Sequence, residues 1–214
     1  MNTEISNILA RSFIYKLLAV GFSYPTPEFF NELKNGAFWM SMKENVKQLS
    51  SEVLNKIILD IEDGISLSDV PFDNLESEYI NAFEIDKPTP STSLYEGSYD
   101  SEVNRGVLLL ELQGFYKNFG LDISKSFKEL EDCITVELEF MHFLTLKEAQ
   151  AKEDNIDPIP YQKAGKDFLE RHLGRWISKF RVDVESKVKL SFFRSLAILT
   201  DEFIASEIKR IQSI

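Results

Sequence analysis

Glu139-Phe140-Met141-His142 is the first combination in this chain that could do chemistry, because a carboxylate and an imidazole three residues apart share one face of a helix. Di-iron carboxylate bundles use that spacing. They need it twice, however, with a further Glu from each of two more helices. The other histidine, His172, has Leu169 three positions before it, so the second copy is missing and the pair reads as a surface salt bridge. Cys133, the single cysteine, sits beside Asp132; acidic neighbours raise a thiol pKa, the opposite of what a nucleophile needs. One cysteine also excludes a disulfide framework and multi-Cys zinc or iron–sulfur sites. The chain contains no G-x-x-x-x-G-K-[ST], G-x-G-x-x-G or G-x-S-x-G run, so nucleotide hydrolysis, dinucleotide binding and elbow-type hydrolysis lack support. No catalytic residue, metal ligand or cofactor is assigned.

Binding chemistry is better represented. Leu94-Tyr95-Glu96-Gly97-Ser98-Tyr99 sets two tyrosines among carboxylates, which suits a groove for a peptide with apolar and cationic side chains. The plainer alternative is a tyrosine pair packing a loop down. Charge distribution bears on the choice. The 214 residues carry 35 acids and 24 bases, a net charge of -11. Between Asp60 and Asn104 there are 12 acids and one base, Lys87, so the remaining 23 acids and 23 bases cancel. Between Lys163 and Arg194 there are nine bases and four acids. Both stretches could be solvated helix faces that aid solubility. Alternatively, the acidic one steers a basic ligand, with a salt-dependent association rate. Duplex nucleic acid, a polyanion, is not expected as a partner.

The elements that must position these groups are helices. Ile5, Ile8, Leu9, Phe13, Leu17 and Leu18 fall at helical steps and predict a helix over 3–20. Thr26-Pro27-Glu28 is a helix start, with a hydroxyl at the N-cap, proline at the first position and an acid at the positive dipole end. That helix stops near Gly36. Others are expected over Val53–Ile61, closed by Gly64, and over Asp73–Phe83. Lys87-Pro88-Thr89-Pro90-Ser91-Thr92-Ser93 breaks the pattern and must be a loop. Helical spacing resumes at Tyr99 through Val103, Val107, Leu110, Phe115 and Phe119, and Gly120 ends it. Ser126-Phe127-Lys128-Glu129 has a capping-box pattern and opens a long helix with Leu130, Ile134, Leu138, Met141 and Leu144 inward. Three more helices are expected over 161–173, 175–187 and 191–211. No stretch alternates with a strand period. The expectation is an all-α single globular domain of roughly nine to eleven helices, the Pro-rich loop about 85–98 being a candidate hinge for domain exchange, giving a monomer or a swapped dimer. With 43% hydrophobic and 28% charged residues a substantial core is available. The N-terminus lacks export-signal features, and no run of 18 apolar residues occurs, so a cytoplasmic protein not integral to a membrane is expected.

Three pieces, in order, resemble the TorD/DmsD/NarJ family of redox-enzyme maturation chaperones. First, Tyr95-Glu96-Gly97-Ser98-Tyr99 after the proline loop is similar to its P-x-Y-E-S-x-Y region. Second, Glu131-Asp132-Cys133-Ile134-Thr135-Val136-Glu137-Leu138-Glu139-Phe140-Met141 is similar to its acidic-Pro-Asp-His…Glu-Leu-x-Phe-Met helix. Third, His172-Leu173-Gly174-Arg175-Trp176 and Phe192-Phe193-Arg194-Ser195-Leu196-Ala197 are like its H-L-x-x-W and [FY]-[FY]-x-x-L-A pieces. In two places this chain departs from the family pattern. Cys133 replaces the histidine of the Asp-His pair, and no proline precedes Asp132. The resemblance implies a cytoplasmic, non-enzymatic chaperone with a TorD-like helical fold. Such a chaperone binds the twin-arginine signal peptide, or the apo form, of a molybdenum- or tungsten-cofactor oxidoreductase of the DMSO, TMAO or nitrate reductase type, and assists cofactor insertion before export. A twin-arginine signal is a cationic segment followed by an apolar one, so its receptor should offer an apolar groove with a carboxylate rim. On this reading Glu96, Asp132 and Glu137 pair with the cationic part, Tyr95 and Tyr99 cover the apolar part, and Cys133 lies in the same site. The competing classes are a helical carboxylate-metal oxidase, which metal analysis would reveal, and a generic helical adaptor.

Overall fold

Ten α-helices account for most of the described residues, which in this computed structural model are 3–64, 71–84, 92–100, 104–122 and 129–212. They are α1 (Thr3–Phe22), α2 (Pro27–Lys34), α3 (Ala37–Gln48), α4 (Glu52–Gly64), α5 (Phe72–Tyr79), α6 (Arg105–Asn118), α7 (Ile134–Glu153), α8 (Ile159–Arg171), α9 (Leu173–Lys187) and α10 (Ser191–Gln212). A π-helical turn (Ile80–Glu84) extends α5, and a single 3₁₀ turn covers Glu96–Ser98. The all-α expectation therefore holds. Pro88, Pro90 and the rest of 85–91, together with Ser126–Lys128 of the capping-box pattern, lie outside the described residues.

Helix α2 starts as its sequence dictates: Thr26 Oγ1 accepts from the Phe29 N–H at 3.2 Å, with Pro27 in the first turn. Helix α3 follows at once, through Gly36 in the left-handed region (φ 78°), in a stretch for which the spacing predicted no helix.

α1 packs along α7, with α3 on its flank; α8 lies against α7, and α9 against α10. A continuous cluster of buried side chains runs from Ile14 to Ile211. Its aromatic part is a web of mostly edge-to-face contacts in which Phe192 meets Phe29, Phe38 and Trp39, while Phe193 meets Phe83 edge-on and Tyr79 at a tilt. The Phe192-Phe193 pair is thus a packing element.

Three helical expectations need correction. In α1, Phe13 is exposed while Ile14, Tyr15, Leu18 and even Arg11 are buried, because helices cover α1 on more than one side. By length and hydropathy α1 could cross a bilayer, yet 56% of that window is buried inside the fold. In α6, Leu108, Leu112 and Tyr116 face inward, whereas Val107 and Leu110 are 59% and 69% exposed; the apolar residues surround this helix, so spacing alone did not identify its buried face. Finally, α7 begins at Ile134, not near Ser126, and Leu130 is exposed. The residues before it are used otherwise. Tyr95 and Cys133 form an antiparallel bridge, the Glu96 N–H donates to the Asp132 carbonyl (2.8 Å), and the Ile134 N–H donates to the Leu94 carbonyl (2.8 Å). Backbone groups committed to this pairing cannot also close helical turns.

Candidate functional site

That short pairing of 94–96 with 132–134 fixes the site, because it brings the first two sequence pieces into register. The third arrives through the break between α8 and α9. His172 ends one helix and begins the next with φ −125° and ψ −100°, and its ring is buried. Gly174 makes the break possible: a Cβ there would lie 2.5 Å from the Leu169 carbonyl oxygen and 2.6 Å from Ile208 Cδ1.

The resulting cluster is a buried set of acids and their polar partners. Glu96, Asp132, Cys133, Glu137, His172 and Trp176 are all buried. His172 Nδ1 lies 3.2 Å from Glu96 Oε2. Its Nε2 is 3.2 Å from Glu111 Oε1, at an angle too poor for a hydrogen bond. The Trp176 indole N–H donates to Glu137 Oε2 at 3.2 Å, while Glu137 Oε1 accepts no hydrogen bond. Burial, and next the charge of Glu96, hold the Glu137 carboxyl well above the ordinary carboxylate range and favour its neutral acid. Burial likewise pushes the Cys133 thiol up to about 12; its sulfur sits 3.3 Å from Thr135 Oγ1. A neutral buried thiol is a packing group and a weak donor.

Toward solvent the cluster is closed by Tyr95, Asp132 and Arg105. Asp132 Oδ2 accepts from the Gly97 N–H and Oδ1 from Arg105 Nη2, each at 3.2 Å. The Arg105 guanidinium carbon lies 5.3 Å from the centroid of the Tyr95 ring. The Tyr95 hydroxyl donates to Glu129 Oε2 at 2.5 Å. Tyr99 stacks on Trp176 (centroids 5.3 Å, 23° between planes) and donates to the Ser93 carbonyl at 2.9 Å.

All six residues singled out from the sequence therefore lie in one place. The expectation that Glu96, Asp132 and Glu137 form an open rim is corrected: they are buried, because each already has a polar partner in the chain or is held neutral. Tyr99 is committed to Trp176, and Tyr95 is half-buried. Arg105, Glu129 and His172 are the participants that sequence reasoning missed. His172 was legible as part of a motif, whereas Arg105 carried no signal of its own.

The acidic and basic stretches also meet. Arg175 pairs with Asp100 at 3.3 Å, Lys179 Nζ donates to the Tyr99 carbonyl at 3.0 Å, and the Lys189 N–H donates to Glu78 Oε1 at 2.7 Å. Part of the charge polarity is consumed inside the molecule. The Glu139–His142 salt bridge does not form: His142 Nδ1 is 2.7 Å from Ser12 Oγ, and burial lowers its pKa. Among the described residues, no group of three His, Cys, Asp or Glu is placed to hold a metal ion.

A second polar centre went unread. The Arg11 guanidinium is buried between Glu148 (3.0 Å) and Glu207 (3.7 Å), and Arg210 binds both Glu207 oxygens. Gln162 donates to Glu148 at 2.9 Å. Glu148, Gln162, Glu207 and Arg210 line two clefts of about 200 and 380 Å³. An arginine between apolar residues in α1, flanked by Leu9, Ala10 and Phe13, was the available signal.

Known proteins are similar to this chain. The family model of the nitrate reductase delta subunit matches residues 42–181. The perchlorate reductase assembly chaperone protein of Dechloromonas aromatica (strain RCB) is 39% identical over 208 residues, 97% of this chain and 92% of that protein. The chlorate reductase assembly chaperone protein of Ideonella dechloratans is 33% identical over 186 residues, 87% of this chain and 82% of the relative. The selenate reductase assembly chaperone protein of Thauera selenatis is 39% identical over 114 residues, 53% of this chain and 59% of the relative. A crystal structure described as a candidate redox enzyme maturation protein from Archaeoglobus fulgidus shares the fold, with TM-score 0.53 and 17% identity over 91% of this chain and 93% of that one.

Proposed function

The chain belongs to the nitrate reductase delta subunit family of redox enzyme maturation proteins, and on that premise we propose that it is an assembly chaperone for the catalytic subunit of a molybdenum- or tungsten-cofactor oxyanion reductase. It binds and does not catalyse. Its ligand is the client's leader, a pair of arginines followed by an apolar segment, held in the cytoplasm while the client receives its cofactor. The client is a reductase of the perchlorate, chlorate or selenate kind, by analogy with the relatives.

One observation carries the binding site: the first two sequence pieces and the His172–Trp176 part of the third converge on a single cluster, closed toward solvent by a tyrosine face over a buried carboxylate. An aromatic ring beside a carboxylate is the chemistry that recognises a guanidinium. In this arrangement Tyr95, Glu129 and Asp132 meet the ligand. Glu96, Glu137, His172 and Trp176 lie behind them and hold them in place. The exposed Val107 and Leu110 of α6 offer apolar surface close in sequence to Arg105 for the rest of the leader. Apolar burial supplies most of the affinity, and charge supplies the encounter rate.

Titration calorimetry with a twin-arginine leader peptide, and with the same peptide carrying glutamines for the arginines, tests this reading. The first should bind and the second should bind more weakly. Tyr95→Ala should weaken the first by about tenfold without changing the helical circular dichroism. Equal binding of both peptides, or of neither, sinks the leader assignment.

A further inference from the structure

We propose that Arg105 is a resident substitute for a ligand arginine. Its guanidinium fills a subsite made by the Asp132 carboxylate, the Tyr95 face and the bare backbone at Gly97, and an incoming arginine side chain takes that place as Arg105 swings out. This rests on the leader reading for the source of the arginine, but the subsite itself rests on geometry.

The pair is asymmetric. The Asp132 side chain is wholly buried, while that of Arg105 is 47% exposed. A buried carboxylate needs a counter-charge, and this one comes from the solvent side, on a side chain that can leave without disturbing the core. Arg105 is also poorly placed as a helix residue. It is the first residue of α6, directly after the N-cap Asn104, whose Oδ1 accepts from the Gly106 and Val107 N–H groups. A cation there sits at the positive end of the helix dipole. Among the described residues, what holds it is outside the helix: one bond to Asp132 Oδ1 at 3.2 Å and the Tyr95 ring. A single contact of that length leaves the two-pronged capacity of a guanidinium unused. Gly97 leaves the floor open, since a Cβ there would come within 3.0 Å of Asp132 Oδ2 and 3.3 Å of Arg105 Cγ. Because the subsite is occupied most of the time, the apparent affinity for an external arginine is reduced by the small fraction in which Arg105 is out.

Thermal melts and calorimetry test this with Arg105→Ala. If that variant proves too unstable, Arg105→Gln, which keeps part of the aliphatic stem but has no guanidinium, carries the same test. The variant should melt below the wild type and be restored by millimolar ethylguanidinium, but not by equal ethylammonium or sodium chloride. The wild type and Asp132→Asn should not respond. The twin-arginine peptide should bind Arg105→Ala about tenfold tighter than wild type, and a twin-lysine version should gain far less. Identical ethylguanidinium responses in wild type and variant overturn the subsite. So does a twin-arginine affinity that is unchanged or weaker in a folded variant. Ethylguanidinium rescue with no peptide binding to either protein keeps the subsite and overturns the leader reading. Peptide binding that is equal in both proteins, without rescue, does the reverse.

Discussion

Glu137 is a titrating group strongly displaced by its surroundings, and its effect on stability has a definite sign. Its folded-state pKa is raised above the ordinary carboxylate value of about 4.5 by burial and by Glu96. The folded state therefore keeps a proton that the unfolded chain releases. The associated stability is fully present below pH about 4.5 and is lost progressively as pH rises toward the folded value. Glu137→Gln retains an acceptor for the Trp176 N–H and removes the titration. Melting followed from pH 4 to 8 should show the wild type losing ground to Glu137→Gln as pH rises; a constant gap would mean that Glu137 is ionised in the fold. Cys133 gives a second residue-level test. With burial holding the thiol near 12, Ellman's reagent at neutral pH should leave the native protein untouched and react once it is unfolded. Rapid native labelling would mean the 94–96 and 132–134 pairing opens readily.

Between elements, the α8–α9 break decides whether the cluster exists. His172 reaches Glu96, and Trp176 reaches Glu137 and Tyr99, only because the chain turns at His172 and passes Leu169 closely at Gly174. Gly174→Ala places a methyl against a backbone carbonyl, which cannot give way as a flexible side chain could. The expected cost is about 2 kcal/mol, or roughly 4–8 °C in melting temperature for a chain of this size. The near-ultraviolet signal of Trp176 should change with it. An unaltered melt would mean that the helices separate there at no cost. The start of α7 shows the same logic. Its first residues are withheld from the helix because their backbone groups pair with 94–96, a use that local propensity does not encode.

At the scale of the molecule, Arg11, Glu148, Glu207, Arg210 and Gln162 tie α1, α7, α8 and α10 together. Removing one member of a buried ionic network leaves charges without partners. Arg11→Ala should therefore cost about 3–5 kcal/mol, a fall in melting temperature on the order of 10 °C. A shift of a degree or two would mean that water reaches the network freely. The proposed function also gives the net charge of -11 a part in ligand encounter. Stopped-flow measurements with the twin-arginine peptide should show association slowing strongly with salt while dissociation hardly changes. Comparable insensitivity of both rates would remove any steering role.

The family resemblance pointed to Asp132, Cys133 and Glu137 beside Tyr95, Glu96 and Tyr99, whereas spacing and composition by themselves determined the helical class, the approximate number of helices and the location of the excess negative charge. These are local properties of a chain whose apolar residues recur every three to four positions. Only the tertiary structure decided which face of α1 and of α6 is buried, where α7 begins, that Glu96 and Glu137 lie inside and not on a rim, and that Arg105 covers Asp132. Those outcomes depend on partners that are distant in sequence: Arg11 on Glu207, Cys133 on Tyr95, Glu96 on His172. A carboxylate reads the same in a sequence whether it faces water or a buried imidazole. Packing alone assigns the dielectric around it, and hence its charge.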